Sequence, residues 1–271
     1  MTTGSSSEHP TVEEVAHEAV GWLTTGPDVA RDELGDVVVL DRPLPNRWFA
    51  AATRVQFGDA GSDEGIARVR SWFASRGRRQ FEWWLGPAHT PSDLALRLVS
   101  TGAALDPDGL TAMVLDREPP AGPPDIDVRR VTSYEEYLVH DEIVAEAFHF
   151  SADEIEAARA ASRHAWKHWS SEPDRLFLLA WRNGRPIAEG TLAGTRVGPM
   201  LLSGGATRLD SRGHGAYRAL VRARWDEAVR RGAGALVVQA SPMSRPILER
   251  AGFRAVGEVT VLADPSSGSG A

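Results

Sequence analysis

Eleven residues near the middle of the chain, REPPAGPPDID from Arg117 to Asp127, limit its fold more than any other feature, because four of them are proline. A proline has no N–H to give a helix or a strand ladder, so neither element runs through this stretch, and it reads as an extended linker. On either side lie residues 1–116 and 128–263, each the size of one domain. Residues 1–10 and 264–271 (DPSSGSGA) are polar and rich in small residues, and are expected to be mobile.

Composition supports packed domains: 42% of residues are hydrophobic and 25% charged, which is incompatible with wholesale disorder. Without cysteine, disulfides, thiolate nucleophiles and cysteine-held metal groups are excluded, and no metal site is expected. No apolar run approaches the ~18 residues of a membrane span, and MTTGSSSEHP is unlike a secretory leader. A cytoplasmic protein without a membrane partner is expected. The net charge of −7 speaks against nucleic acid as a partner, yet residues 212–254 hold nine arginines against three acids. A local positive excess in an acidic chain suits one discrete anionic ligand, although arginines on exposed helix faces would give the same count.

In the first half, Thr11-x-x-Glu14 predicts a capping box opening a helix to about Leu23, with strands at 37–40 and 48–57. Ile66, Val69, Trp72 and Phe73 recur at helical spacing within 63–75. Residues 81–85 form an aromatic strand, Pro91 suits a helix's first position, and 110–115 closes the half with a strand. The second half is predicted to run from a strand at 128–131 through helices at 134–148 and 152–170 to strands at 175–181, 186–195 and 200–207. Asn183-Gly184 marks a hairpin turn between the first two of those three. A helix at 216–231, a strand at 235–240, a short helix at 246–251 and a strand at 255–262 complete it. Such an order gives an α/β (α+β) class with a mixed sheet. Residues 85–102 and 238–252 also share an order: strand end, turn with proline, helix, glycine, with Leu98 and Leu248 each four residues before the glycine. That suggests an internal duplication.

The stretch Thr207-Arg208-Leu209-Asp210-Ser211-Arg212-Gly213-His214-Gly215-Ala216-Tyr217 joins a predicted strand to a predicted helix. The first N–H groups of a helix lack acceptors within it, and the helix dipole adds partial positive charge there. Gly213 and Gly215 permit a tight turn and close approach of an anion, and Arg212 adds a full charge. Leu220, Val221, Trp225, Ala228 and Val229 form the helix's inner face, leaving its arginines outside. The loop reads as a diphosphate cradle, but an ordinary strand-to-helix turn would need the same glycines. It is not a Walker loop, which requires Gly-Lys-Ser/Thr, nor a dinucleotide fingerprint, whose third glycine is here Arg218.

Together with the helix and strand after it, the loop resembles motif A of the GNAT superfamily of N-acetyltransferases, Arg/Gln-x-x-Gly-x-Gly/Ala. Arg212, Gly215 and the helix match, while Tyr217 stands at the last small position. Residues 240–253, ASPMSRPILERAGF, resemble the superfamily's second motif, a short helix ending in Gly-Phe before the final strand. The resemblance covers about residues 175–262. The first half resembles a degenerate copy, whose matching loop at 57–65 carries three acids and no arginine, so no cofactor is assigned to it.

The resemblance implies two GNAT-like mixed sheets flanked by helices, in tandem. It implies an enzyme moving an acetyl group from acetyl-CoA to a primary amine of a small molecule or peptide by direct attack; a non-catalytic acyl-CoA sensor is the alternative. Pantetheine would run along the strand ending at Thr207, Arg208 and Leu209, with Ser241 at the pantetheine arm. The pyrophosphate would meet the backbone N–H groups of Gly213, His214, Gly215, Ala216 and Tyr217, with Arg212 or Arg218 on the nucleotide phosphates. The superfamily's frequent tyrosine acid falls on Leu248 here, and Tyr217 offers a hydroxyl nearby. Glu189, on a strand expected to line the cleft, is the candidate catalytic base, with His214 a second. A homodimer is compatible with the sequence.

Three other patterns carry less. His164 and His168 lie one helical turn apart, but Ala165 stands where zinc proteases have glutamate. Ser241 and Ser244 lack a nucleophile elbow. Trp83, Trp84, Trp166, Trp169 and Trp181 are expected in packing.

Overall fold

The capping box at Thr11 forms in the computed structural model, which describes residues 9–43 and 50–266. Glu14 N–H donates to Thr11 Oγ1 (3.2 Å), and Thr11 N–H donates to Glu14 Oε2 (2.7 Å). It opens α1 (Val12–His17), shorter than expected, after which the chain continues as a 3-10 turn, Ala19–Trp22. The first half proceeds through β1 (Ala30–Glu33), β2 (Val38–Asp41), β3 (Ala50–Thr53), α2 (Gly58–Ala74) and β4 (Gln80–Leu85). It ends with α3 (Leu94–Ser100), β5 (Ala104–Leu105) and β6 (Leu110–Leu115). After the linker come β7 (Asp127–Arg130), α4 (Tyr134–Ala147), α5 (Ala152–Ser170), β8 (Leu176–Arg182), β9 (Arg185–Gly194) and β10 (Met200–Thr207). The chain then forms α6 (Ala216–Arg230), β11 (Leu236–Ala240), α7 (Arg245–Arg250) and β12 (Arg254–Pro265).

Several boundaries differ from the sequence reading for local reasons. The acidic stretch 57–65 is not an open loop: α2 already starts at Gly58, because Ser62, Gly65 and Ile66 face the core. Gly65 is so close to the Phe57 ring that a Cβ would lie 2.6 Å from it. The expected strand from Trp48 begins outside the described residues and stops at Thr53, where Arg54 turns to φ +54°. Helix α3 starts at Leu94, three residues past Pro91. Asp264 and Pro265 belong to β12 rather than a mobile tail. Asp264 is fully buried, accepting from Trp83 Nε1–H (2.6 Å) and Arg70 Nε–H (3.1 Å).

Among the described residues the strands form one mixed sheet in the order β1-β2-β3-β4-β12-β6-β11-β10-β9-β8-β7, with β5 beside β12. The parallel pairs, β3–β4 and β10–β11, are each bridged by a helix, α2 and α6. Each half then has a short helix and a left-handed glycine, Gly102 at φ +104° and Gly252 at φ +102°. The repeated order seen in the sequence is therefore repeated in space.

The halves also exchange strands. β6 leaves the first half and lies between β11 and β12, pairing Leu115 with Leu236 and Met113 with Ala255. β12 pairs with β6 over residues 254–259, then crosses to β4 over 260–265. The mixed sheets of the two halves are thus fused into one, and the last strand of each half completes the other.

Helices α6 and α7 cover one face of the central strands, over Leu192, Met200, Leu236 and Val238. On the other face α1 packs on Val114, Val237 and Val259, while α4 and α5 pack on Phe177, Leu179 and Ala206. The linker lies on α6, where a Cβ on Gly122 would sit 2.8 Å from Ala219 Cα. Arg222 of α6 pairs with Glu118 of the linker at 2.7 Å.

Candidate functional site

The parallel strands β10 and β11 share two register pairs, Met200 with Leu236 and Leu201 with Val237. Beyond them β10 stays with β9 to Thr207 and β11 stays with β6 to Ala240, so the strand ends part. A bulge in β10 between Leu202 and Gly205 lies at this divergence. A 3-10 turn, Leu209–Ser211, and the glycine loop then lead into α6.

Gly213 and Gly215 both take φ +80°, the left-handed region that glycine enters without strain. A Cβ on Gly213 would meet nothing within 4 Å, whereas one on Gly215 would meet Pro123 Cγ at 2.7 Å. The second glycine therefore answers the linker as well as the turn. The loop leaves backbone donors unused: Ala219 N–H donates to Gly215 O (3.0 Å), but among the described residues the N–H groups of 213–218 have no protein acceptor. They edge a cavity of about 610 Å³ walled by the end of β10, the loop, α7, and Ala147 and Phe148 at the end of α4.

The nine arginines of 212–254 divide by partner. Arg222, Arg230, Arg231, Arg245 and Arg254 pair with carboxylates. Arg212, Arg218 and Arg250 line the cavity and have no carboxylate partner among the described residues. The ninth, Arg224, was expected outside with the others but is fully buried, while Val229, expected inside, is half exposed. Helix geometry explains both, since 224 falls one turn after Leu220 and next to Trp225 on the buried stripe.

Thr207, Arg212, Gly213, His214, Gly215, Ala216 and Tyr217 all border the cavity. Arg208, Leu209 and Ser241 do not. Arg208 turns back to Pro186 O (3.1 Å) and to Glu146, and Leu209 N–H donates to Glu146 Oε1 (2.9 Å). Ser241 Oγ accepts from Ser244 N–H (3.3 Å) at the entry to α7, and Ser244 lines the cavity instead. The 3-10 turn is what rotates 208 and 209 away from the line of the strand. Tyr217 is accommodated by Gly205, where a Cβ would be 2.7 Å from the ring. Leu248 lies wholly in the core and offers no group to the site.

Glu189 is buried and does not itself border the cavity; its register partner across β9–β10, Ala206, does. Its Oε2 lies 2.8 Å from Nε2 of His140 on α4, whose Nδ1 is 3.3 Å from Asp141 Oδ1. Burial pushes the His140 pKa down, but Glu189 and Asp141 outweigh it and hold the imidazole up at about 9. His140 therefore binds its proton more tightly folded than unfolded, where ~6.5 is usual. Its contribution to stability is complete below about pH 6.5 and is lost as pH rises through about 9. Thermal melts across that window should show the midpoint falling with pH, and His140→Gln should flatten the fall. An equal slope in both proteins would remove His140 from the account.

Sequence reading missed His140, Arg224 and Arg250. The signal for His140 was present: Tyr137, His140, Ile143 and Ala147 share one buried face of α4, so a titratable group sits on an apolar stripe. The two histidines of α5 part company, His164 meeting Pro43 O (3.0 Å) and His168 meeting Asp28 (2.7 Å). Among the described residues no helix is long and apolar enough to cross a membrane.

No protein-family model and no curated protein matches the chain. Solved structures do. A GCN5-related N-acetyltransferase from Kribbella flavida is 19% identical, covering 93% of this chain and 95% of its own, with a TM-score of 0.71. A tandem GNAT protein from the clavulanic acid biosynthesis pathway is 16% identical over 98% of this chain and 91% of its own, with a TM-score of 0.60. The chain has the tandem GNAT fold. A GCN5-related N-acetyltransferase from Sphaerobacter thermophilus agrees at 20% identity and a TM-score of 0.54, covering 87% of this chain and 82% of its own. Within the GNAT fold the cavity lies beyond the parted ends of the parallel strands β10 and β11.

Proposed function

We propose that the second half is an acetyl-CoA-dependent N-acetyltransferase whose acceptor is a primary amine of a small molecule or peptide. The observation that carries this reading is the run of unused N–H groups at 213–218 beside three arginines that lack carboxylate partners. Several phosphates, as in coenzyme A, use such a set fully, whereas a single carboxylate would leave most of it unsatisfied. Loop N–H groups with Arg212, Arg218 and Arg250 hold the phosphates, and the exposed side chains of Phe148, Met243 and Ile247 offer apolar surface to the nucleoside.

Acetyl-CoA, when bound, supplies an acyl group already activated as a thioester. In the overall exchange a C–N bond forms, the C–S bond breaks with its electron pair leaving on sulfur, and the amine gives up a proton. Glu189, held by His140, is the carboxylate we assign to receive that proton. The chain has no cysteine, in agreement with direct attack rather than an acylated thiol on the protein.

Incubation with acetyl-CoA and a panel of amines should release free CoA with at least one of them. Glu189→Gln should slow that release by about 100-fold or more while leaving acetyl-CoA affinity within about twofold. Acetyl-CoA at ~100 times its Kd should add ~2.7 kcal/mol of stability. If neither acetyl-CoA nor CoA stabilises the protein, the donor site is not there. Binding without CoA release from any amine would instead favour the sensor, a reading that the burial of Leu248 at the usual tyrosine position supports.

A further inference from the structure

Arg224, in the middle of α6, is fully buried. A guanidinium keeps its proton at any ordinary pH, so a full positive charge sits inside the core. Burying such an ion is costly unless an opposite charge accompanies it, and among the described residues no carboxylate does. Its partners are backbone oxygens: Nε donates to Leu220 O (3.1 Å), and Nη1 to Gly204 O (2.9 Å) and Thr191 O (3.3 Å). Nη2 is buried with no hydrogen-bond partner. The guanidinium carbon lies 5.4 Å from the centre of the Tyr217 ring, which lines the cavity.

The surroundings are shaped around this side chain. A Cβ on Gly190 would lie 3.1 Å from the Arg224 guanidinium carbon. Gly204, at φ +99°, lies within the irregular stretch of β10, and its carbonyl is the one Arg224 holds. A purely structural need at this position would be met at lower cost by an apolar side chain, as on the rest of the stripe, where Leu220, Val221, Trp225 and Ala228 are buried.

We propose that Arg224 is a positioning residue for acyl transfer, fixing the bulge of β10 through the Gly204 carbonyl and giving the cavity wall behind Tyr217 an unneutralised positive charge. This inference rests on the donor-site reading above. Negative charge that develops on the sulfur of the acyl donor is stabilised by a fixed cation in surroundings too dry to screen it.

The thiol of bound CoA is the probe, monitored by the ultraviolet absorbance of its thiolate; the chain has no cysteine to interfere. On wild-type protein the bound thiol should titrate below the free coenzyme. In Arg224→Met it should titrate about one pH unit higher than on wild type, and in Arg224→Lys, which keeps the charge, close to wild type. A folded Arg224→Met protein that binds CoA with an unchanged thiol titration overturns the proposal. So does a wild-type complex whose thiol titrates at or above free CoA, a result that needs no variant to fold. Wild-type protein that does not bind CoA refutes the donor-site reading itself, and this inference with it.

Discussion

Gly213→Asp should weaken acetyl-CoA binding by about 100-fold or more, equivalent to ~2.7 kcal/mol, while the protein remains folded. The two loop glycines are not equivalent for this purpose. At Gly215 any side chain collides with Pro123, so a loss of binding there could come from displacing the linker. At Gly213 the space is open, and the only structural cost is the left-handed backbone at φ +80°, which aspartate and asparagine tolerate best among residues with a Cβ. The new carboxylate would face a run of N–H groups and the Arg212 charge, competing with the phosphates for both. Gly213→Asn is the control, having the same shape and backbone strain without the charge; it should bind within about tenfold of wild type. Equal affinity in Gly213→Asp and wild type, by calorimetry, would place the anion elsewhere.

The second large effect is expected from separating the halves. Residues 117–271 expressed alone should show no cooperative melt, and co-expression with residues 1–116 should restore a folded, CoA-binding complex. The reason is β6. It pairs with β11 on one side and β12 on the other, and Ala112, Met113, Val114 and Leu115 are all buried there. Removing three large side chains of that kind forfeits ~1.5–3 kcal/mol each, against a total domain stability of about 5–15 kcal/mol. It also bares two strand edges that would pair with other chains. A fragment that melts cooperatively and binds CoA like the whole protein would show that the exchanged strand is dispensable.

Much of the site was legible in the sequence because it depends on local chemistry. Glycines at 213 and 215 specify a left-handed turn, an arginine precedes them, and a helix must start after them; none of this needs a distant partner. That Arg208 and Leu209 bond to Glu146 and stand off the cavity was not legible, because the three-residue 3-10 turn that follows the strand has no composition signal of its own. The turn that takes up the Ser241 hydroxyl was not legible for a similar reason. His140 was invisible as a partner of Glu189 because the two lie 49 positions apart and meet only when α4 packs on β9.

The prolines at 117–127 were equally legible, and they do interrupt the elements on either side, but they did not reveal where the strands go. β6 and β12 are apolar segments that would pair as well with their own half as with the other, since backbone ladders carry no sequence address. The sequence by itself determined the class of fold, the two related halves and the glycine turn that opens α6, because turn geometry, helix starts and hydrophobic period are set by neighbouring residues. Only the tertiary structure decided that the halves share one sheet, that Glu189 is paired with His140, and that Arg224 lies inside. Those are contacts between distant segments, and which of them forms is decided by packing the whole chain at once.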